Sequence, residues 1–307
     1  MHGDDVLLII NPKSSKGKGE QKAKKLGVYF KEKNVKCTIA YTMNAGHAEK
    51  LAEAGIANGF KRIVAVGGDG TVNEVLNGIM KSGKSGIKMG IIPVGRGNDI
   101  AWMAKIPKNL YKAADLITNG EARDADVGLC VDLGNGSKER YFLNGTGFGF
   151  EPLVNFKAMS YKRINGFLSY AVAFLFYAKN PPRGYDVHIV ADERTFDLKT
   201  QQISVANGIR MGGGFKIAPS AKMDDGVFDL MFPNNVYLGF HLFQLILSFL
   251  KGAQVRDKEK FTYINAKHVE IKMKEATIPV HSDGEVVSYN GTSFSLDLIP
   301  SGLQLYY

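Results

Sequence analysis

Apolar runs and helical patterns alternate along the first part of the chain. Val6–Ile10, Ile63–Val66 and Met89–Pro93 are continuous apolar stretches, the signature of strands covered on both faces. Cys37–Tyr41 reads as another strand. Between these runs, Glu20–Glu32, Ala48–Ala57, Val72–Met80, Asn98–Ala104 and Tyr111–Ile117 show helical spacing. Strands separated by helices predict a parallel sheet with both faces covered, an α/β domain.

Near Asp126 the texture changes. Short strand candidates follow one another: Tyr141–Leu143, Asp186–Val190, Gln202–Ala206, Phe228–Phe232, Val269–Met273, Glu285–Ser288 and Ser295–Ile299. Asp-Gly and Asn-Gly turn signals separate them, which predicts an antiparallel β-sandwich domain. Two apolar helical inserts interrupt it, at Gly166–Ala178 and Leu238–Lys251. The boundary falls between Arg123 and Cys130, giving an α/β domain over 1–126 and a β-rich domain over 127–300.

Composition narrows the partners. The 307 residues carry a net charge of +9, which favours nucleic acid, an anionic membrane or a phosphorylated substrate. No RNA-binding signature and no zinc spacing is present, so nucleic acid ranks last. Two cysteines, Cys37 and Cys130, are no disulfide framework and fit a reducing cytoplasm. Acids at Asp4 and Asp5 stand where a signal peptide would be basic. The longest apolar stretch, Val236–Leu250, is broken by His241, Gln244 and Ser248 and is too short to span a bilayer. A soluble or peripheral protein is expected.

The chemistry concentrates in glycine-rich turns after the strands. Gly67-Gly68-Asp69-Gly70-Thr71, followed by Asn73 and Glu74, joins an apolar strand to a helix. Adjacent glycines admit a bulky ligand, and the helix start offers unpaired N–H groups to phosphate. Asp69 is suited to a metal, a ribose or a reacting hydroxyl. Asn11-Pro12-Lys13-Ser14-Ser15-Lys16-Gly17-Lys18-Gly19 after the first strand is a candidate phosphate cradle, and it is not a Walker loop. Pro93-Val94-Gly95-Arg96-Gly97-Asn98-Asp99 repeats the strand–turn–helix arrangement, with Asn98 a helix cap by type. Read locally, Asp126 is a strand end, while Asp224-Asp225-Gly226 and Asp283-Gly284-Glu285 are hairpin turns.

Taken in order, these runs resemble the diacylglycerol kinase catalytic family of soluble bacterial lipid kinases. Asn11, Pro12 and Ser14 match an NPxSGxG pattern, with Ser15 in place of glycine. Pro93, Gly95, Gly97, Asn98, Asp99 and Ala101 match PxGTGNDxA, with Arg96 replacing threonine. Asp126 and Gly128 match a D-x-G, and Gly212–Asp229 matches GGGxxxxPxAxxxDGxxD. Glu285 closes a DGE. The GGDGT run alone is also similar to that of NAD kinases and to the phosphofructokinase loop, so the order of the runs is the specific signal.

The resemblance implies an ATP- and Mg²⁺-dependent kinase acting on diacylglycerol or a related lipid hydroxyl, with its cleft between the two domains. It implies that Asn11, Pro12, Ser14, Gly67, Gly68, Gly70, Thr71, Asn73, Glu74, Gly95, Arg96, Gly97 and Asn98 hold the nucleotide. Asp69, Asp99, Asp126 and Glu285 are the implied catalytic carboxylates. A structural Mg²⁺ is implied on the Asp225 carboxylate with carbonyls of Lys222 and Val227, and residues 301–307 are implied to return to the first domain. Arg96 either forks onto phosphate or obstructs the nucleotide. The implied setting is the cytoplasm, with peripheral contact to anionic membrane and room for a homodimer. Two rival readings are an NAD kinase-like enzyme and a non-catalytic nucleotide or lipid sensor.

Overall fold

The computed structural model describes residues 5–134, 136–161, 167–179, 181–212 and 214–307. Gly166, the expected start of the first helical insert, Gly213 of the triple-glycine run, and residues 1–4 of the first domain lie outside the described residues. By compactness the chain divides into Met1–Ala125 with Ser301–Tyr307, and Asp126–Pro300.

The first unit is a parallel sheet between helices. Its strands are β1 (Val6–Ile10), β2 (Cys37–Tyr41), β3 (Arg62–Gly67) and β4 (Lys88–Pro93). They lie in the order β2-β1-β3-β4, with Leu8 opposite Ile39 and Val64, and Ala65 opposite Ile91. The end of β16 (Ser293–Tyr306) adds a further parallel strand, Gln304 pairing with Lys88 and Leu305 with Met89. Every residue of β1 is buried, as its unbroken apolar sequence requires. The helices are α1 (Ser14–Gly17), α2 (Gly19–Glu32), α3 (His47–Ala57), α4 (Asp69–Lys81), α5 (Asp99–Met103) and α6 (Leu110–Asn119). Helix α4 starts at Asp69, ahead of the apolar pattern that begins at Val72. The polar Asp-Gly-Thr run itself forms the first turn.

The second unit is an antiparallel sandwich. One sheet contains β5 (Ala122–Asp132, from Asp126 onward), β6 (Lys138–Phe142), β8 (Tyr185–Ala191), β9 (Arg194–Thr200), β13 (His268–Met273) and the first part of β16. The other runs β12-β11-β10-β7-β14-β15. Its strands are β7 (Gly145–Gly149), β10 (Gln202–Ala206), β11 (Phe228–Pro233), β12 (Phe261–Ala266), β14 (Ile278–Ser282) and β15 (Glu285–Gly291). Phe142, Phe148, Phe228, Phe232 and Phe294 fill the space between the sheets and are fully enclosed. Outside the sandwich, α7 (Phe150–Ser160), α8 (Phe167–Lys179) and α9 (Gly239–Lys251) cover a second cluster built on Phe150, Met231, Leu242 and Phe249. No described helix is long and apolar enough to cross a membrane.

Candidate functional site

In the first unit, the loops after β1, β3 and β4 are tied together. Asn11 Nδ2 donates to Thr71 Oγ1 at 3.5 Å, joining the first loop to the start of α4. The Gly95 N–H donates to Gly67 O at 3.1 Å, alongside Val94 N–H to the same carbonyl at 2.9 Å. A Cβ on Gly95 would strike the Gly68 backbone, so these loops approach as closely as main chains can. Asp69 Oδ1 accepts the Ile100 N–H at 3.2 Å, and its other oxygen lies against Gly97. Asp99, 7% exposed, opens α5 in the same loop. The structure thus brings Asn11, Thr71, Asp69, the 95–98 turn and Asp99 together.

Ser15 and Asn98 do work that residue type did not announce. Ser15 has φ +54°, a left-handed conformation that glycine adopts without strain. Its side chain compensates: Oγ donates to Val94 O at 3.0 Å and accepts from Lys22 Nζ at 2.6 Å. Asn98 sits before α5 but makes no capping bond from its side chain. Its amide instead brackets Gly95, accepting from the Gly95 N–H at 3.0 Å and donating to the Gly95 carbonyl at 2.9 Å. Arg96 is exposed on the same turn.

Two residues expected at the nucleotide have protein partners in the structure. The Glu74 carboxylate accepts the Gly46 N–H at 2.8 Å and the Ala48 N–H at 2.9 Å, which caps the α3 N-terminus. Asn73 is fully buried and receives the Asn77 amide at 3.2 Å. The resemblance set both at the nucleotide, whereas these bonds direct Glu74 to α3 and Asn73 to the helix interior.

The loops suit an anion. The Ser14 hydroxyl is enclosed and has no hydrogen-bond partner among the described residues. Burial, then the charges of Lys18 and Lys25, push the Lys22 ammonium below its ordinary range. A phosphate would satisfy the first and relieve the second. The N-terminus of the 13-residue α4 adds its dipole and N–H groups.

In the second unit, the Asp-Gly turn at 225–226 is anchored by Asp126. Asp126 Oδ2 accepts the Gly226 N–H at 2.7 Å, and the Asp126 N–H donates to Met223 O at 2.7 Å. Burial pushes the Asp229 carboxyl above its ordinary range, and the nearby negative charge of Asp225 adds to the push. A divalent cation on Asp225 with the carbonyls of Lys222 and Val227 would offset that charge, so the residues fit Mg²⁺. Among the described residues no cluster of three His, Cys, Asp or Glu side chains could hold a metal. Such a cation would therefore depend on backbone oxygens.

The turn carrying Glu285 rests on residues that sequence reading passed over. Asp283, with φ +51°, accepts the N–H groups of Leu143, Asn144 and Gly145 at 2.9, 2.9 and 3.0 Å. The buried His281 accepts the Gly284 N–H on Nδ1 at 3.1 Å, which leaves its proton on Nε2, directed at the Glu151 carboxylate. Asn155 Nδ2 holds the Gly284 carbonyl at 3.0 Å and Tyr170 holds Asn155 at 2.9 Å. Gly147 makes room, since a Cβ there would meet Glu151 and His281. No ligand spacing in the sequence marks His281. The available signal was its place directly before Ser-Asp-Gly-Glu, but Glu151 lies 130 positions away.

The pairing of a glycine-loop α/β unit with an antiparallel sandwich marks a kinase class. Residues 5–130 match the diacylglycerol kinase catalytic domain, and residues 145–307 match the YegS C-terminal NAD kinase β-sandwich-like domain. The chain is 30% identical over 280 residues to a diacylglycerol kinase of Bacillus subtilis (strain 168), covering 91% of this chain and 88% of that one. A crystal structure of a diacylglycerol kinase from Bacillus anthracis str. Sterne shares the fold with TM-score 0.74, at 23% identity over 100% of this chain and 98% of that one. Yeast NADH kinase complexed with NADH shares it more distantly, with TM-score 0.53, 11% identity, and 98% and 82% of the chains covered. The chain belongs to the diacylglycerol kinase catalytic-domain family.

Proposed function

We propose that this protein transfers the γ-phosphoryl group of ATP, with Mg²⁺, to the hydroxyl of a lipid alcohol. Diacylglycerol is the leading acceptor, giving phosphatidic acid. The observation that carries the reading is the fastening of the three glycine-rich loops, with Asn11 on Thr71, Ser15 on the Val94 carbonyl and Asp69 on the Ile100 N–H. Family membership supplies the acceptor class.

Mg-ATP, when bound, supplies the transferable phosphoryl group and the positive charge that offsets its oxygens. The α4 N-terminus, the Ser14 hydroxyl and the basic segment through Lys22 bind and orient the phosphates. Asp69 and Asp99 would hold the reaction's metal. Glu285 takes the proton of the acceptor hydroxyl. Asp126 steadies the 223–226 turn, and with it the loop of Asp225, Lys222 and Val227 that would take a second, structural Mg²⁺. The acceptor resides in a bilayer and the donor in the cytoplasm, so the protein works at the inner membrane surface.

Asp69→Asn and Glu285→Gln test the assignment. An amide at position 69 can still accept the Ile100 N–H, so the loop is kept while the charge is lost. Each variant is expected to lose about 100-fold or more in kcat at an unchanged melting temperature. Full turnover in the Glu285→Gln variant would remove Glu285 from the chemistry and leave Asp69 as the base.

A further inference from the structure

The α8 and α9 helices present apolar side chains on both sides. On α9, Leu242, Leu245 and Phe249 are buried in the cluster they share with α8. Phe240, Phe243 and Leu247 repeat that spacing two positions earlier, about 200° around the helix, and are 69%, 47% and 42% exposed. On α8, Leu168, Leu175 and Phe176 are likewise exposed while Ala173 is buried. The polar residues of α9 do not interrupt the outer stripe. His241, Gln244 and Ser248 line a cavity of about 180 Å³ on the flank with Gln254, Phe261 and the paired Asp257 and Lys260.

In sequence the segments around these helices are mostly basic, and the acid beside the α9 cavity, Asp257, is paired with Lys260. Residues 152–185 contain Lys157, Lys162, Arg163, Lys179 and Arg183 and no acid, and residues 230–256 contain Lys251 and Arg256 and no acid. Lys157 Nζ lies 4.2 Å from the Phe176 ring centroid. Lys251 ends α9, and the exposed Lys216 is tied to that end by its N–H on Phe249 O at 2.8 Å.

We infer that the outer face of α8 and α9 docks on an anionic lipid bilayer, its apolar side chains entering the interface and its lysines meeting the headgroups. Each helix has 13 residues, about 20 Å against the roughly 30 Å of a hydrocarbon core, so it lies in the surface and does not span. An apolar stripe with lysines beside it and its one neighbouring acid neutralised by a lysine is the pattern of an interfacial helix. A second copy of the chain fits less well, because a two-fold interface here would set lysines against lysines. The inference deepens the lipid-kinase reading by naming the surface that meets the lipid.

Vesicle flotation without nucleotide tests it. The wild-type chain is expected to float with mixed phosphatidylglycerol–phosphatidylcholine vesicles and to be released by high salt. The Phe240→Ser/Phe243→Ser/Leu247→Ser variant is expected to partition at least about tenfold more weakly, at an unchanged melting temperature. Phe243→Trp, which keeps an aromatic at a half-exposed position, is expected to be quenched by brominated phospholipid, with the wild type and its Trp102 as blank. Wild-type binding by the triple variant, absence of wild-type binding, or bound Phe243→Trp protein whose added indole fluorescence is not quenched would each overturn the inference. So would light scattering that shows a wild-type dimer dispersed by the triple substitution with no vesicle binding in either. If the triple variant does not fold, the quenching result decides. The kinase reading is tested separately, by wild-type transfer to short-chain diacylglycerol free in solution, so either can fail alone.

Discussion

Replacing Asp283 by asparagine removes a charge from a site where three backbone N–H groups converge. The residue is 9% exposed, and its oxygens take Asn144 and Gly145 N–H on Oδ1 and Leu143 N–H on Oδ2. Asparagine tolerates the left-handed backbone at this position, so the turn can be kept and only the chemistry changes. In its better orientation the amide oxygen serves Asn144 and Gly145. The amide nitrogen then faces the Leu143 N–H, donor against donor. One charge-assisted bond is lost with its donor left buried, and two become neutral. Together these cost about 2–4 kcal/mol. For a domain of this size that is roughly 5–15 °C in melting temperature. Differential scanning calorimetry of the wild type and Asp283→Asn measures it. A shift under about 2 °C would show that Asp283 does not hold the 143–145 backbone. Asp283→Ala should melt lower still, since alanine adds about 1 kcal/mol of left-handed strain.

Three further outcomes follow from individual residues. Ser15→Gly should change stability by less than about 1 kcal/mol, because relief of the left-handed strain offsets the lost hydroxyl bonds. Ser15→Ala, which keeps the strain and loses both bonds, should cost about 2 kcal/mol in urea titration. Glu74→Ala should destabilise the first unit by about 1–2 kcal/mol through the uncapped α3 N-terminus, and hydrogen exchange at Gly46 and Ala48 should speed up. Asp229 has its carboxyl pushed above the ordinary value of 3.8, so the folded state favours its protonated form. That stability is present below the ordinary value and is lost as pH rises through the raised one. In chelator, Asp229→Asn should therefore melt above the wild type at neutral pH and lose that advantage in acid; equal melting at both would refute the burden on Asp229.

The α/β-then-sandwich order was legible because β1, β3 and β4 are apolar without interruption and the later strands are short and separated by turn residues. The sequence pattern failed where glycine carries the structure. Gly145-Thr146-Gly147-Phe148-Gly149 has no alternation to announce a strand, yet β7 lies between β10 and β14 in the second sheet. Its glycines are there for close approach, as the His281–Glu151 pair against Gly147 shows. The Asn98 side chain looked like a cap by residue type, but a left-handed backbone at φ +53° turns it back onto Gly95. Glu74 lay one helical turn from the glycine loop in sequence, and only the packing of α4 beside α3 shows that its oxygens are used there. Long-range pairs of this kind leave no local periodicity to read.

The central claim is the acceptor. Purified protein incubated with γ-labelled ATP, with and without Mg²⁺, against diacylglycerol, phosphatidylglycerol, a sphingoid base and NAD, measures it in one experiment. The account predicts Mg²⁺-dependent label on a lipid, diacylglycerol first, and none on NAD. Label on NAD and on no lipid, or ATP bound with no transfer to any acceptor, would contradict it.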